Sequence, residues 1–469
     1  MADPQSPPPS DDPRQTQTGW RRKWPLVTLF SAIGLALLAA GIAWTYTVHF
    51  RKFPPDVADR GALAWPLPDM PSAVVLPIAS VSSADRDILV AGRLGDDLRE
   101  RLARVPGLFV ISPETSGRFR GGQFRIKATA EALGVRYLLT GTLSRIDAGK
   151  KYRVFLRVID AFSGDTEWVE DFDLAPERSF ELFAKAMPEI LDALDVDIDD
   201  DEIAAFTALG PRVSAAWIDF AEAVAYRVIE DRQSMADSLA KLKRAHDADP
   251  GWSGPAREIA WSYLHLARRG RTDATFPTTD ALLREGLRFA DALIERDPRD
   301  PYGPARKAAL SAAAANETEE TLALWQEAAR LGPNTFSIQW ELAQVLIRAE
   351  RYEEALPVMK RALRVHPRHP VALTQALAEL EFAAGNPAVA FTTLDTVILK
   401  RPAAEDPRLM RMYLLAKMGR EGEAMAEAEA FLALHDGFGF SAWSERQIRR
   451  GRPGRAEWRE TLLGIGIPD

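Results

Sequence analysis

The stretch from Phe336 to Pro367, FSIQWELAQVLIRAERYEEALPVMKRALRVHP, decides the fold of the second half of this chain. Its apolar residues recur at the three- and four-residue spacing of an α-helix. Ala343 is a small residue in the first predicted helix, Tyr352 marks a turn, and Ala355 and Ala362 are small residues in the second. Small residues are needed where neighbouring helices approach closely. The stretch therefore predicts a helical hairpin that ends at a proline.

Prolines at the ends of predicted helices extend this pattern along the chain. Pro298, Pro333, Pro367 and Pro402 are spaced by 35, 34 and 35 residues. This interval resembles the period of the tetratricopeptide repeat (TPR), in which a proline closes the second helix of each hairpin. The resemblance implies about six TPR-like hairpins in residues 215–436, stacked into an all-α superhelix and followed by a C-terminal tail or cap at residues 437–469.

Stacked hairpins create a concave face that can bind a protein or peptide. Projecting the repeat frame onto the first helix of each hairpin gives six groove positions, including a tryptophan expected to be exposed between arginine and glutamine, a combination enriched in recognition patches. Ordinary surface is the alternative for each residue taken alone. The predicted partner-binding residues are Arg306, Trp340, Gln344, Arg348, Gln375 and Glu379.

An apolar segment near the N-terminus is the strongest single feature. Residues 24–50 contain no Asp, Glu, Lys or Arg, and at about 1.5 Å per residue such a helix crosses a hydrocarbon core about 30 Å thick. Trp24 and Trp44 stand where aromatic rings favour the membrane interface. The segment predicts an uncleaved transmembrane helix. A cleavable signal peptide and a twin-arginine signal are the alternatives, and both match the flanking residues poorly.

The segments on either side of the apolar segment suggest an orientation. Residues 1–23 form a Pro- and Ser-rich tail that ends in a basic cluster, and residues 51–71 form a Pro-rich linker with fewer basic residues. The positive-inside rule slightly favours a cytoplasmic N-terminus. We therefore expect a disordered cytoplasmic tail, a single pass through the inner (plasma) membrane, a semi-rigid spacer and periplasmic domains.

Residues 72–195 carry a mixed pattern that predicts a small α/β domain. Two early strand-helix units come first, and the helix Ile126–Leu133 should end at Gly134 with a left-handed cap. Three strands then follow as a meander, before a closing helix near residues 179–194. The predicted meander strands are Val135–Ile146, Tyr152–Ala161 and Thr166–Leu174.

Four segments of this region, AVVLPI, LRERLARVPGLFVIS, AEALGVRYLLTGTLSR and YRVFLRVIDAFSGDTEWVEDFD, resemble a TolB-N-like module. LGVRYLL and the spacing of Asp160, Gly164 and Trp168 are the most specific parts. In many bacterial proteins this module precedes TPRs and follows a class III adenylate cyclase domain, a CadC-like winged-helix domain or a membrane helix. Neither of those two domains is recognised here, so the resemblance implies architecture and no catalytic or DNA-binding residue. The predicted fold class is α+β.

Composition and motifs argue against catalysis, metal binding and nucleic-acid binding. The net charge is −8 and there are no cysteines, which disfavours general nucleic-acid binding and excludes thiolate metal sites. Walker, HExxH and GxSxG motifs are absent. His366 and His369 lack further metal ligands nearby, and the acidic run Asp192–Glu202 lacks the glycine and glutamate of a calcium loop. We therefore expect no catalytic residue, metal or cofactor, and an acidic hinge at residues 196–214.

Two functions remain open from the sequence. The first is a membrane-anchored, non-catalytic TPR scaffold for protein binding. The second is a sensor or regulator of the cyclase- or CadC-associated type, in which the α/β–TPR region senses a ligand or partner. Deleting residues 1–19 would separate them, because only the sensor needs that tail.

Overall fold

The computed structural model divides the chain into two compact units, Met1–Asp56 and Val57–Asp469. The predicted tail (1–23) and transmembrane helix (24–50) lie outside the described residues. Within the described ranges, no helix is both long and apolar enough to cross a membrane. The structure describes residues 56–119, 124–199, 201–203, 210–226, 232–270, 278–315, 317–449 and 455–469.

A mixed sheet forms the first part of the second unit. Its strand order is β3-β1-β4-β5-β6, with β2 beside β4. β1 is parallel to β3 and β4, whereas β4, β5 and β6 form an antiparallel meander in which Tyr137 lies opposite Asp160. The predicted α/β region and its three-stranded meander are therefore confirmed, and the sheet is mixed. The strands are β1 (Ser72–Val75), β2 (Ala79–Ser80), β3 (Phe109–Val110), β4 (Tyr137–Ile146), β5 (Lys151–Asp160) and β6 (Thr166–Leu174).

Helices cover both faces of the parallel part of this sheet. α1 and α4 pack on one face and α3 on the other, so all four residues of β1 are buried. α3 ends as predicted at Gly134, whose φ of 64° is left-handed. The helices are α1 (Asp85–Arg104), α2 (Pro113–Ser116), α3 (Ile126–Leu133) and α4 (Leu182–Ala193). Together with the sheet they form what we call the α/β module.

The rest of the unit is a helical array. In its described part, six consecutive helix pairs form antiparallel hairpins, α5/α6 to α15/α16. Two further helices, α17 and α18, follow them at the C-terminal end. The helices are α5 (Ser214–Tyr226), α6 (Arg232–Ala248), α7 (Ser253–Arg268), α8 (Thr279–Arg296), α9 (Tyr302–Ala315), α10 (Glu319–Leu331), α11 (Phe336–Arg348), α12 (Tyr352–Val365), α13 (Val371–Ala383), α14 (Pro387–Lys400), α15 (Glu405–Lys417), α16 (Glu421–Leu434), α17 (Phe440–Arg449) and α18 (Arg459–Gly464).

Small residues occupy the closest helix contacts, as the repeat frame predicts. Ala343, Ala355 and Ala362 have no exposed surface. Gly385 and Gly419 occupy equivalent turns inside successive hairpins with φ of 80° and 71°, a region that glycine enters without steric cost. Glu350 takes the same left-handed conformation in the preceding hairpin, at φ 58°.

The α/β module and the array share one apolar core. Residues of β1, β4 and β5 belong to the same buried cluster as helices from α5 to α13. A second cluster begins at Ala378 and includes α17 and α18. The module is therefore packed against the first hairpins, whereas the last hairpins have a core of their own.

Candidate partner-binding site

One edge of the array is covered by the α/β module. This edge consists of the proline-containing loops that precede α7, α9, α11 and α13. In the loop before α11, the Asn334 side chain donates hydrogen bonds to the carbonyls of Ala103 (3.1 Å) and Leu108 (2.8 Å). At the end of α12, just before the loop that precedes α13, the carbonyl of Val365 accepts a hydrogen bond from the backbone amide of Ser112 at 2.9 Å. These loops are therefore engaged inside the molecule.

Buried charges join the module to the second and third hairpins. Arg257 of α7 binds Glu100 of α1, with Nη2 and Oε2 3.0 Å apart. Arg104 of α1 lies 2.9 Å from Asp300 and 3.2 Å from Asp297 in the loop before α9. Burial alone would raise the pKa of the Glu100 carboxyl, but Arg257 and Arg104 outweigh it and hold that pKa well below its usual range.

A polar cavity of about 20 Å³ lies beside these charges, enough for about one water molecule. Four arginines and two acidic residues line it, and a third acidic residue, Asp300, adjoins it through Arg104. Three of the arginines are paired with these carboxylates inside the molecule, which suits a structural joint better than a ligand site. The charged residues are Arg93, Arg101, Arg104, Arg257, Asp97, Glu100 and Asp300.

The opposite edge of the array carries an open groove. The module contacts the beginnings of the first helices, whereas this groove lies at their ends, where α7, α9 and α11 meet the helices that follow. Its volume is about 690 Å³, within the range of small-molecule ligand sites. It is lined by Ala267, Arg268, Thr279, Leu283, Ala312, Ala313, Glu317 and Arg348.

The groove combines an apolar floor with a charged rim. Ala267 and Leu283 are buried and supply the floor. On the rim, Arg348 Nε lies 3.0 Å from Glu317 Oε2, and this hydrogen bond raises the pKa of the Arg348 guanidinium. Arg268 is exposed at the other side. Such a surface can hold a segment of polypeptide by apolar contact and orient it by charge.

The predicted groove residues of α9 and α11 lie in different environments. Arg348 lines the groove. The guanidinium of Arg306 packs over the ring of Tyr302, 5.1 Å from its centre, and Gln344 is half-buried. Trp340 was expected to be exposed, and that expectation is wrong. Its ring is half-buried against the main core because it packs beside Phe336, with ring centres 6.1 Å apart.

The two predicted residues of α13 also lie away from the groove. Gln375 is buried. Glu379 forms an ion pair with Arg455, at 2.6 Å, so the C-terminal segment covers this part of α13. Burial raises the pKa of the Glu379 carboxyl, and Arg455 opposes that rise. The structure therefore brings Arg348 alone of the six predicted residues to the lining of the open groove.

Most of the groove lining was missed from sequence. Ala312 and Ala313 belong to the run of four alanines Ala312–Ala315 at the end of α9, which a helix core alone does not require. From this run of alanines, a surface without bulky side chains could have been predicted at the end of α9. Arg268 ends a first helix, as Arg348 does two hairpins later, so the repeat frame also related these two positions.

Comparison with known proteins identifies the repeats. Residues 346–411 match the family model described as "Tetratricopeptide repeat". The helical array contains TPRs. The chain is also similar to a protein of Rhizobium meliloti (strain 1021) named "Putative adenylate cyclase 3", at 26% identity over 265 residues. The alignment covers 55% of this chain and 43% of that relative, which is less than half of the relative's length.

The chain is also similar to two solved structures. One is MamA of Desulfovibrio magneticus RS-1, at 14% identity over 38% of this chain and 94% of that chain, with a TM-score of 0.31. The other is a thermophilic TPR protein of Thermus thermophilus, at 18% identity over 43% of this chain and 99% of that chain, also with a TM-score of 0.31.

Proposed function

We propose that this protein is a membrane-anchored, non-catalytic TPR scaffold that holds a segment of a partner protein in the open groove of α7, α8, α9 and α11. One observation carries the proposal. The module occupies one edge of the TPR array, while at the opposite edge the described residues leave a groove of about 690 Å³ with an apolar floor. Stacked repeats create extended concave surfaces that such proteins use to bind partners.

The membrane anchor and the compartment belong to the same proposal. The uncharged segment 24–50 supports the anchor, and the charge difference across it supports a cytoplasmic N-terminus with the module and array in the periplasm. The mixed sheet ahead of the TPRs supports the resemblance of the module to TolB-N-like modules.

Because the chain has no cysteine, a single introduced thiol can test this topology. Ala426→Cys places a thiol on the exposed side of α16. A membrane-impermeant maleimide should label it once the outer membrane is permeabilised and the inner membrane is intact. Labelling only after the inner membrane is broken would contradict the proposed orientation.

Photocrosslinking tests the groove itself. A benzoylphenylalanine at Ala313, inside the groove, should crosslink a defined partner, whereas the same group at the exposed Ala426 should not. Purified partner should then lose affinity for Ala313→Arg, which fills the groove with a charge, and keep its affinity for Ala426→Arg. Equal binding by both variants, or crosslinks only from Ala426, would overturn the groove as the binding site.

A second candidate function is a sensor or regulator of the cyclase-associated type. The similarity to the Rhizobium meliloti protein favours this sensor or regulator function, because that protein is named as a putative adenylate cyclase. In this case deletion of residues 1–19 should abolish output while leaving binding in the groove intact. The scaffold proposal requires no such loss.

A further inference from the structure

The two edges of the sheet differ in how they end. At the β3 edge the array closes the sheet, since Ser112, just after β3, pairs through its amide with the carbonyl of Val365. At the other edge, β6 pairs with β5 on one side only, and no other described strand adjoins it. β6 has nine residues and is therefore roughly 30 Å long. Its outer backbone groups form a free edge.

The side chains of β6 separate into two faces. Trp168, Phe172 and Leu174 face the core side, where Trp168 Nε1 donates to Glu189 of α4 at 2.7 Å. Glu167, Val169, Asp171 and Asp173 alternate with them and are exposed. Val169 is 54% exposed in the middle of this acidic row. The free edge thus presents an apolar residue between carboxylates.

These carboxylates are only partly neutralised. Asp173 is held by Arg153, with two hydrogen bonds of 2.7 and 2.8 Å. In the described part of the chain, Glu167 and Asp171 make no ion pair within 4.0 Å. Arg157 of β5 lies opposite Val169, and Arg153 interacts electrostatically with Asp171. The two residues flanking Val169 on the exposed face are therefore carboxylates without a direct ion-pair partner in this part of the structure.

This charge pattern determines which kind of strand can pair with the free edge of β6. A second copy pairing edge to edge would bring two acidic rows together, and like charges directly opposite each other destabilise a strand pair. Acidic residues on an edge therefore oppose self-association. A partner strand with basic residues opposite Glu167 and Asp171 would instead gain two favourable cross-strand pairs, and an apolar residue between them would cover Val169.

We propose that the outer edge of β6 binds an extended segment of a partner protein as an added strand, and that this segment has the pattern basic, any, apolar, any, basic. Backbone hydrogen bonds hold the segment and alternate side chains select it. This surface lies on the α/β module and is separate from the groove, so it does not rest on the proposed function.

A designed peptide tests the proposal on the full chain. The probe is a fluorescein-labelled, end-blocked peptide with the order Thr-Lys-Thr-Val-Thr-Lys-Thr. We expect saturable binding that weakens as salt is added, together with slowed amide exchange in residues 166–174. A peptide with glutamate in place of lysine should bind about tenfold or more weakly. The lysine peptide with the backbone amides of both edges N-methylated should not bind.

Matched protein variants separate the effect of charge at the β6 edge on peptide affinity from the effect of net charge. Glu167→Lys with Asp171→Lys should lower the affinity for the lysine peptide about tenfold and restore binding of the glutamate peptide. Glu429→Lys with Asp436→Lys makes the same change in net charge on exposed residues of the array, and it should leave both affinities unchanged. Urea unfolding of each variant shows whether it is folded.

Four outcomes of the binding and exchange measurements would overturn the proposal. They are equal binding of the lysine and glutamate peptides, binding of the N-methylated peptide, unchanged affinity in the folded edge variant, and protection from exchange outside residues 166–174. Crosslinks between β6 strands of two copies would also overturn it, because they would show self-pairing.

Discussion

His366 should make the stability of this protein fall as the solution is acidified. Its ring is 4% exposed at the junction of the array and the module. Nδ1 lies 2.6 Å from Thr115 Oγ1, and the ring of Phe336 packs 4.8 Å away. Burial, followed by the nearby His369 and Arg118, lowers the pKa of His366 from 6.5 to about 4.

The size of the effect follows from proton linkage. Between the folded pKa of about 4 and the unfolded value of 6.5, the unfolded chain binds a proton that the folded chain excludes. Stability contributed by neutral His366 is therefore complete above pH 6.5 and decreases as the pH falls toward 4. Between pH 7.5 and pH 5, these two pKa values give a loss of about 2 kcal/mol in the free energy of unfolding.

The assay is urea unfolding of the full chain at pH 7.5, 6 and 5, compared with two variants. His366→Gln removes the titrating group and keeps a hydrogen-bonding side chain, so its free energy of unfolding should fall by about 2 kcal/mol less than that of the unsubstituted protein over this range. His369→Gln should retain most of the pH dependence, because burial is the larger cause. Parallel curves for the unsubstituted protein and His366→Gln would refute the reasoning.

Three other predictions concern stability at neutral pH. Arg257→Met should lower the free energy of unfolding by up to about 3 kcal/mol, because it removes a partner from the half-buried Glu100 and the buried Asp300. A double-mutant cycle with Glu100→Gln should give a coupling energy of about 0.5–3 kcal/mol, and additive losses in urea unfolding would contradict this coupling. Glu350→Gly should raise the free energy of unfolding by up to about 1 kcal/mol, whereas Gly385→Ala should lower it by about 1 kcal/mol or more, and thermal melts that move in the same direction would contradict this. Gly141→Ala would place its Cβ against the carbonyl oxygen of β5 residue Phe155, so amide exchange in β4 and β5 should become faster, and unchanged exchange would show that the strands accommodate the methyl group.

Local signals in the sequence predicted the elements well. Helix α3 has the predicted bounds and ends at Gly134, because apolar spacing and a left-handed cap are encoded within a few residues. The first apolar segment of the module, by contrast, forms two short strands, because β1 ends at Val75 and β2 begins at Ala79. Pro77 lies between them, and a residue without an N–H group cannot donate to a strand ladder.

Long-range contacts account for what the sequence did not predict. The repeat frame indicates which helix residues point inward, but it does not show that the module covers the edge near Asn334 or that Arg455 reaches Glu379. Trp340 was misjudged for the same reason, since its burial depends on packing that single-repeat periodicity does not encode. The groove could therefore be located only after both edges of the array were seen in three dimensions.

The docked module has a consequence for how this architecture can vary in length. Its contacts fall on successive hairpins, at Arg257 near the start of α7, at Asp300 and Asn334 in the loops before α9 and α11, and at Val365 at the end of α12. An extra hairpin inserted among these contacts would move every later contact residue of the array out of register with the module. These contacts end before α13, and we expect natural or engineered arrays of this type to lengthen beyond it.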